Sequence, residues 1–129
     1  MWEVETTDEY DRRHRRYQKK RPRELKAILN NLDTYFETLK SGVKPQNIFF
    51  GFVHHEPNGV RAIDQRGGGG TLAQTRLYVY PDEEAKVLHI ITLGDKSSQD
   101  GDIQTCKQFM VELRKQTERG KEGDHDSDG

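Results

Sequence analysis

The chain reads as a single α+β domain, and three observations predict it. Its 129 residues fit one hydrophobic core of common size. Leu, Ile, Val and Phe number 27, about 21% of the chain and just above the roughly 20% that marks disordered sequences. They are concentrated between residues 25 and 113, leaving both ends nearly bare. Within that span the apolar period changes from helical, to alternating, to helical again. The predicted order is β-α-α-β-β-β-α: an N-terminal strand and a two-helix hairpin packed on one face of a twisted antiparallel sheet, with a C-terminal helix.

Each element has a local cause. Trp2, Val4 and Thr6 alternate with Glu3 and Glu5, the pattern of a short strand with one buried face. Thr6 followed by Glu9 matches a capping box, so a helix should begin near residue 7 and run to about Lys20, with a thin stripe of Tyr10, His14 and Tyr17. Pro22 suits the first turn of a second helix, in which Leu25, Ile28, Leu29, Leu32, Phe36 and Leu39 recur at helical spacing until Gly42. Residues 43 to 59 show no clean period and are expected to form an irregular stretch or short helix against the core, closed by Pro57-Asn58-Gly59. Strands are expected at Val60 to Arg66, Leu72 to Tyr80 and Lys86 to Leu93. The tetraglycine Gly67 to Gly70 and Pro81 to Glu84 join them as hairpins. A last helix should run from about Asp100 to residue 118, with Ile103, Cys106, Phe109, Met110 and Leu113 on its inner side.

Charge separates along a chain whose net charge is only −1. Residues 12 to 26 hold nine Lys/Arg against one Glu, which fits either a solvated helix face or a footprint for an anionic partner such as RNA or an acidic protein segment. Glu122, Asp124, Asp126 and Asp128 lie among Gly, Ser and His, so residues 1–121 are assigned to the domain and 122–129 to an acidic disordered tail. The longest apolar stretch, Ile48 to Val53, is far short of the roughly 20 residues that span a bilayer. With no signal-peptide pattern at the start, a soluble, cytoplasmic protein without membrane contact is expected. The one cysteine, Cys106, closes no intrachain disulfide, and no spacing suggests a zinc site.

Several positions are chemically suggestive. Alternation in Leu72 to Tyr80 places Ala73, Thr75, Leu77 and Val79 toward the helices, and Gln74, Arg76, Tyr78 and Tyr80 on the uncovered face. An arginine flanked by tyrosines can grip a phosphate and stack on bases, although a half-solvated sheet face also carries such residues. His54-His55-Glu56 is open to several uses: a metal site, a catalytic acid/base or RNA contact, or a plain segment before a turn. Adjacent strand residues point to opposite sides and no third ligand is evident, which weighs against metal. His89 suits a hydrogen-bonded sheet histidine, Cys106 a small core residue, and the glycines a flexible hairpin tip.

In order along the chain, three blocks carry a family likeness: Gly59 to Arg66 (GVRAIDQR), Thr75 to Asp82 (TRLYVYPD) and Leu88 to Gln99 (LHIITLGDKSSQ). With the Trp2-Glu3-Val4-Glu5 opening, the helical hairpin before them and the helix after, the chain resembles the RelE/ParE superfamily of bacterial toxins over about residues 1 to 118. It is most similar to the HigB-like branch of ribosome-dependent mRNA interferases. The resemblance implies a type II toxin, held in check by a cognate antitoxin protein, that enters the ribosome and cleaves mRNA without metal or other cofactor, and that is a monomer when free. Arg76 falls where the family has an arginine that contacts the scissile phosphate. Arg61 and Arg66 match arginines of the preceding strand, and Lys96 matches a basic residue after the Gly-x turn. Ala62 and Asp64 stand where RelE itself has lysines, and Asp102 where it has a tyrosine.

The implied chemistry is attack of a ribose 2′-oxygen on the adjacent phosphate, which requires a base, cations for the developing charge and an acid for the leaving oxygen. Arg76, Arg66, Arg61 and Lys96 are the expected cations. His54, His55, Asp95 and Tyr78 are candidates for proton transfer. Arg12, Arg13, Arg15, Arg16, Lys19, Lys20, Arg23 and Tyr80 are the expected RNA contacts. A ParE-like inhibitor that acts by binding DNA gyrase, or a catalytically inactive relative, is the alternative.

Overall fold

The computed structural model describes residues 1–65 and 72–128, the side chains of 121–128 excepted. Arg66 and the tetraglycine turn therefore lie outside the described residues, as do the side chains of the expected acidic tail. The elements are β1 (Glu3–Thr6), α1 (Asp8–Lys20), α2 (Pro22–Lys40), β2 (Val53–His55), β3 (Arg61–Asp64), β4 (Thr75–Asp82), β5 (Val87–Asp95) and α3 (Gln99–Asp128). Three 3-10 turns, Pro45–Asn47, Pro57–Gly59 and Lys96–Ser98, join them. The α+β class holds, with one five-stranded sheet ordered β1-β5-β4-β3-β2.

Several features depart from the sequence expectation. The sheet is mixed, because β1 runs parallel to β5 while the other pairs are antiparallel. Part of the region without a clean period is an edge strand, β2, whose three residues are too few to display alternation; Val53, His54 and His55 pair with Ile63, Ala62 and Arg61. Thr7, one residue later than expected, caps α1, its hydroxyl accepting from the Tyr10 N–H at 3.0 Å.

Both faces of the sheet are partly covered. Alternation sends Ile63, Leu77, Val79, Leu88, Ile90 and Leu93 toward α1 and α2, where Tyr10, Tyr17, Leu25, Ile28, Tyr35 and Leu39 meet them. Tyr35, outside the expected apolar stripe, is fully buried there, whereas Leu29, Leu32 and Phe36 are only partly covered. On the opposite face α3 lays Cys106 and Met110 over Val60, Ala62, Tyr78 and Ile91. That face was expected to be bare. Because α3 crosses it, Tyr78 is core, at 2% exposure. A bulge between Tyr78 and Val79 skips Ile91, which lets Ile90 and Ile91 serve opposite cores. Val4 lies 47% exposed, contrary to expectation, because β1 is an edge strand.

One polar corner locks helices to sheet. Asp102, 1% exposed near the start of α3, accepts from Arg13 Nη1 at 3.0 Å and from the Ser98 hydroxyl at 2.7 Å. Arg13 Nη1 also lies 2.9 Å from the Leu93 carbonyl oxygen, joining α1, β5 and α3 in one network. Gly94 makes room for it, since a Cβ there would collide with the Asp102 carboxylate and the Ser98 hydroxyl.

Asp102→Ala should therefore destabilise the domain by about 3 kcal/mol, or roughly 10 °C in Tm, because it removes the buried carboxylate that Arg13 Nη1 and the Ser98 hydroxyl share. Gly94→Ala should also lower Tm. Thermal unfolding followed by circular dichroism checks both, and wild-type melting of Asp102→Ala would show that the corner does not hold the helices.

Candidate functional site

The end of the sheet that α3 leaves open gathers four functional side chains. Pairing in register puts His54 opposite Ala62 and Asp64 opposite Arg76, so alternation places His54, Asp64 and Arg76 on one face. His54 Nε2 lies 2.7 Å from Asp64 Oδ2. A carboxylate only accepts, so Nε2 carries the hydrogen and Nδ1 is left as the ring's proton acceptor. The His54 side chain is 31% exposed and that of Asp64 12%, giving a held but reachable imidazole. Asp64 is itself anchored by its backbone: its N–H donates to the Phe52 carbonyl oxygen at 2.9 Å, and its carbonyl oxygen accepts from Asn31 Nδ2 at 2.8 Å.

Arg76 borders this pair. Its Nη1 is 4.0 Å from Glu56 Oε1, and its Nε is buried with no hydrogen-bond partner among the described residues. A partly exposed guanidinium whose one carboxylate neighbour is distant retains capacity for an anionic ligand at its outer nitrogens. The group comprises an acid/base side chain, a carboxylate that orients it, and a cation beside them, which is the equipment for moving a proton next to a phosphate. Among the described residues no three His, Cys, Asp or Glu side chains gather as a metal site would require.

The other expected residues sit elsewhere. Arg61 is 8% exposed and alternation puts it on the helix side with Ile63; its Nη1 donates to the Val60 carbonyl oxygen at 3.2 Å. It faces away from Arg76 because odd and even positions of β3 point oppositely. His55 is turned away from His54 for the same reason. Its Nε2 donates to the Ile48 carbonyl oxygen at 3.0 Å, and its ring stacks on Phe49 at 4.9 Å. Burial pushes the Tyr78 phenol up to about 12 and its ring packs under α3. Asp95 caps the turn before α3: the Ser97 hydroxyl above all, with the Ser97 and Ser98 N–H groups, holds its carboxyl below the usual carboxylate range. Lys96 is exposed on that turn. Tyr80 stacks at 6.1 Å on His89, which also lies against Phe109.

The basic run divides in two. Arg12 pairs with Glu9, and Arg13 with Glu9 and Asp102. Arg15, Arg16, Lys19, Lys20 and Arg23 are exposed. Sequence reasoning missed Asp64 and gave Glu56 no separate role, because both depend on the hairpin of β2 with β3.

His89 generates a stability prediction. Burial lowers its pKa below the ordinary histidine range, opposed by Glu5 and Asp82. The unfolded chain therefore takes up a proton that the folded chain resists, so stability is full above the ordinary histidine range and falls as pH drops through it. His89→Phe, which keeps an aromatic ring between Tyr80 and Phe109, should flatten that acid limb in a Tm series from about pH 7.5 to about pH 5; an identical slope in the variant would refute it.

No protein-family model, curated protein or solved structure matches this chain.

Proposed function

We propose that the protein is a metal-independent endoribonuclease of the ribosome-dependent mRNA-interferase kind, the toxin of a type II toxin–antitoxin pair. The observation that carries this reading is the His54–Asp64 hydrogen bond at 2.7 Å beside the partly exposed guanidinium of Arg76. His54 Nδ1 takes the proton of a ribose 2′-hydroxyl, Asp64 steadies the resulting imidazolium, and the 2′-oxygen attacks the adjacent phosphorus. Arg76 donates to the non-bridging oxygens as charge accumulates. The 5′-oxygen departs and takes a proton from water, and the proton held by His54 neutralises the hydroxide left behind, restoring both the water and the neutral imidazole. The products are a 2′,3′-cyclic phosphate and a 5′-hydroxyl, so the step needs neither oxidant nor co-reactant.

The same reading brings an mRNA positioned in the ribosome, a cognate antitoxin that blocks the site, a cytoplasmic location and a free monomer. No helix among the described residues is long and apolar enough to cross a membrane.

The expected outcome of primer extension on a message translated in a bacterial cell-free system is codon-spaced cuts that require ribosomes. His54→Ala should lower cleavage about 10²–10⁴-fold, the range for loss of a general base. Arg76→Ala should lower it comparably, with the circular dichroism spectrum of each variant unchanged. Intact message with folded wild-type protein would overturn the reading and favour action by binding, as in gyrase inhibition, which a supercoiling assay tests next.

A further inference from the structure

A second basic feature lies on the α1 side of the same sheet end. A cleft of about 230 Å³ opens between Arg13, Arg16, Tyr17, Lys20 and Arg21 on one wall and the turn after β5 on the other. Positions 13, 16, 17 and 20 are spaced three, four and seven apart, so they share one helix face. Arg13 is engaged by Asp102 and Glu9, and Arg21 lies 3.9 Å from Glu24. Arg16 and Lys20 are exposed and carry no ion pair among the described residues.

Tyr17 adds a neutral donor. The residue is 7% exposed, yet it lines the cleft, and its hydroxyl has no hydrogen-bond partner among the described residues. Burial, and secondarily the Asp95 charge, raise its pKa, so the phenol keeps its hydrogen at neutral pH. Asp95 is the carboxylate in this wall. Its Oδ1 already accepts from the Ser97 N–H, the Ser97 hydroxyl and the Ser98 N–H. Arg16, Lys20 and Arg21 outnumber it, so the cleft favours an anion.

The cleft adjoins the site already described. Gly94 is in its wall and is also the residue paired with Arg76 across β4 and β5, adjacent strands being roughly 4.8 Å apart. We propose that this cleft binds a backbone phosphate of single-stranded RNA, one flanking the phosphate held at Arg76, through Arg16, Lys20 and the Tyr17 hydroxyl. The inference rests on the RNA-cleavage reading above. A phosphate that does not react is gripped equally before and during cleavage, so the cleft contributes to substrate affinity and leaves the chemical step alone.

The test is fluorescence anisotropy with an uncleavable single-stranded RNA, 2′-O-methyl at every position, titrated with full-length protein at several salt concentrations. Wild-type binding should weaken linearly in log–log form with salt, and the Arg16→Ala/Lys20→Ala double variant should lose about 0.7 from that slope, as for the one phosphate contact released. Tyr17→Phe, which preserves the buried ring, should weaken binding about fivefold, as for one lost hydrogen bond. An unchanged slope in the double variant, no wild-type binding at low salt, or inorganic phosphate bound tightly with no RNA binding each overturns the inference. The two readings fail separately: if primer extension shows His54-dependent cuts while the cleft variants bind and cleave as wild type, only the cleft assignment falls. If message stays intact while RNA affinity follows Arg16, Lys20 and Tyr17, only the cleavage reading falls.

Discussion

The buried carboxylate of Asp102 is the constraint on which the arrangement depends. At 1% exposure an ionised carboxylate needs partners of matching charge and geometry, and it has them in Arg13 and Ser98. Because Arg13 also binds the Leu93 carbonyl oxygen, the start of α3 is fixed relative to both α1 and the end of β5. Gly94 must lack a side chain for that approach, and Gly94 is the residue paired with Arg76. The polar corner and the candidate site are thus neighbours across one strand spacing.

How far α3 reaches decides where chemistry can occur. It covers Tyr78, Ala62 and Ile91, making that part of the sheet a second small core. One step along β4, at Arg76, the cover ends; the guanidinium is partly exposed and the His54–Asp64 pair lies beside it. A side chain held by a rigid strand at the margin of a core keeps its position without being sealed from a ligand, which suits a preorganised site.

The sequence made the helices legible because their signals are local. The period through α2, Pro22 at its start and the Tyr10–Tyr17 stripe located both helices, although the α2 stripe left out the fully buried Tyr35. Alternation likewise located β4 and β5 and put Leu77 and Val79 toward the helices. What it could not display was the second layer. Ile103, Cys106, Phe109 and Met110 marked an apolar side of α3, but which face of the sheet that side would cover depends on how the chain turns after Gly94, a non-local matter. Hence Tyr78 was expected in solvent and lies in the core. The site suffered in the same way: His54 and Arg76 could be singled out as residue types, while Asp64 gained its role only when a three-residue strand, too short to show a period, placed His54 within 2.7 Å of it.

A run of cations is not one property. Within residues 12 to 23, Arg12 and Arg13 answer carboxylates of the protein itself, and Arg13 does so in a buried network where charge and shape fix the fold. Three and seven residues further along the same helix face, Arg16 and Lys20 have no such partner among the described residues and border a cleft. Helical spacing assigns these neighbours to different tasks: Arg13 meets β5 and α3, whereas Arg16 and Lys20 face the cleft. Folding therefore neutralises the charges nearest the core and leaves the remainder concentrated where the strands terminate. That concentration borders Gly94, whose backbone pairs with that of Arg76, and it favours a negative charge at the sheet end.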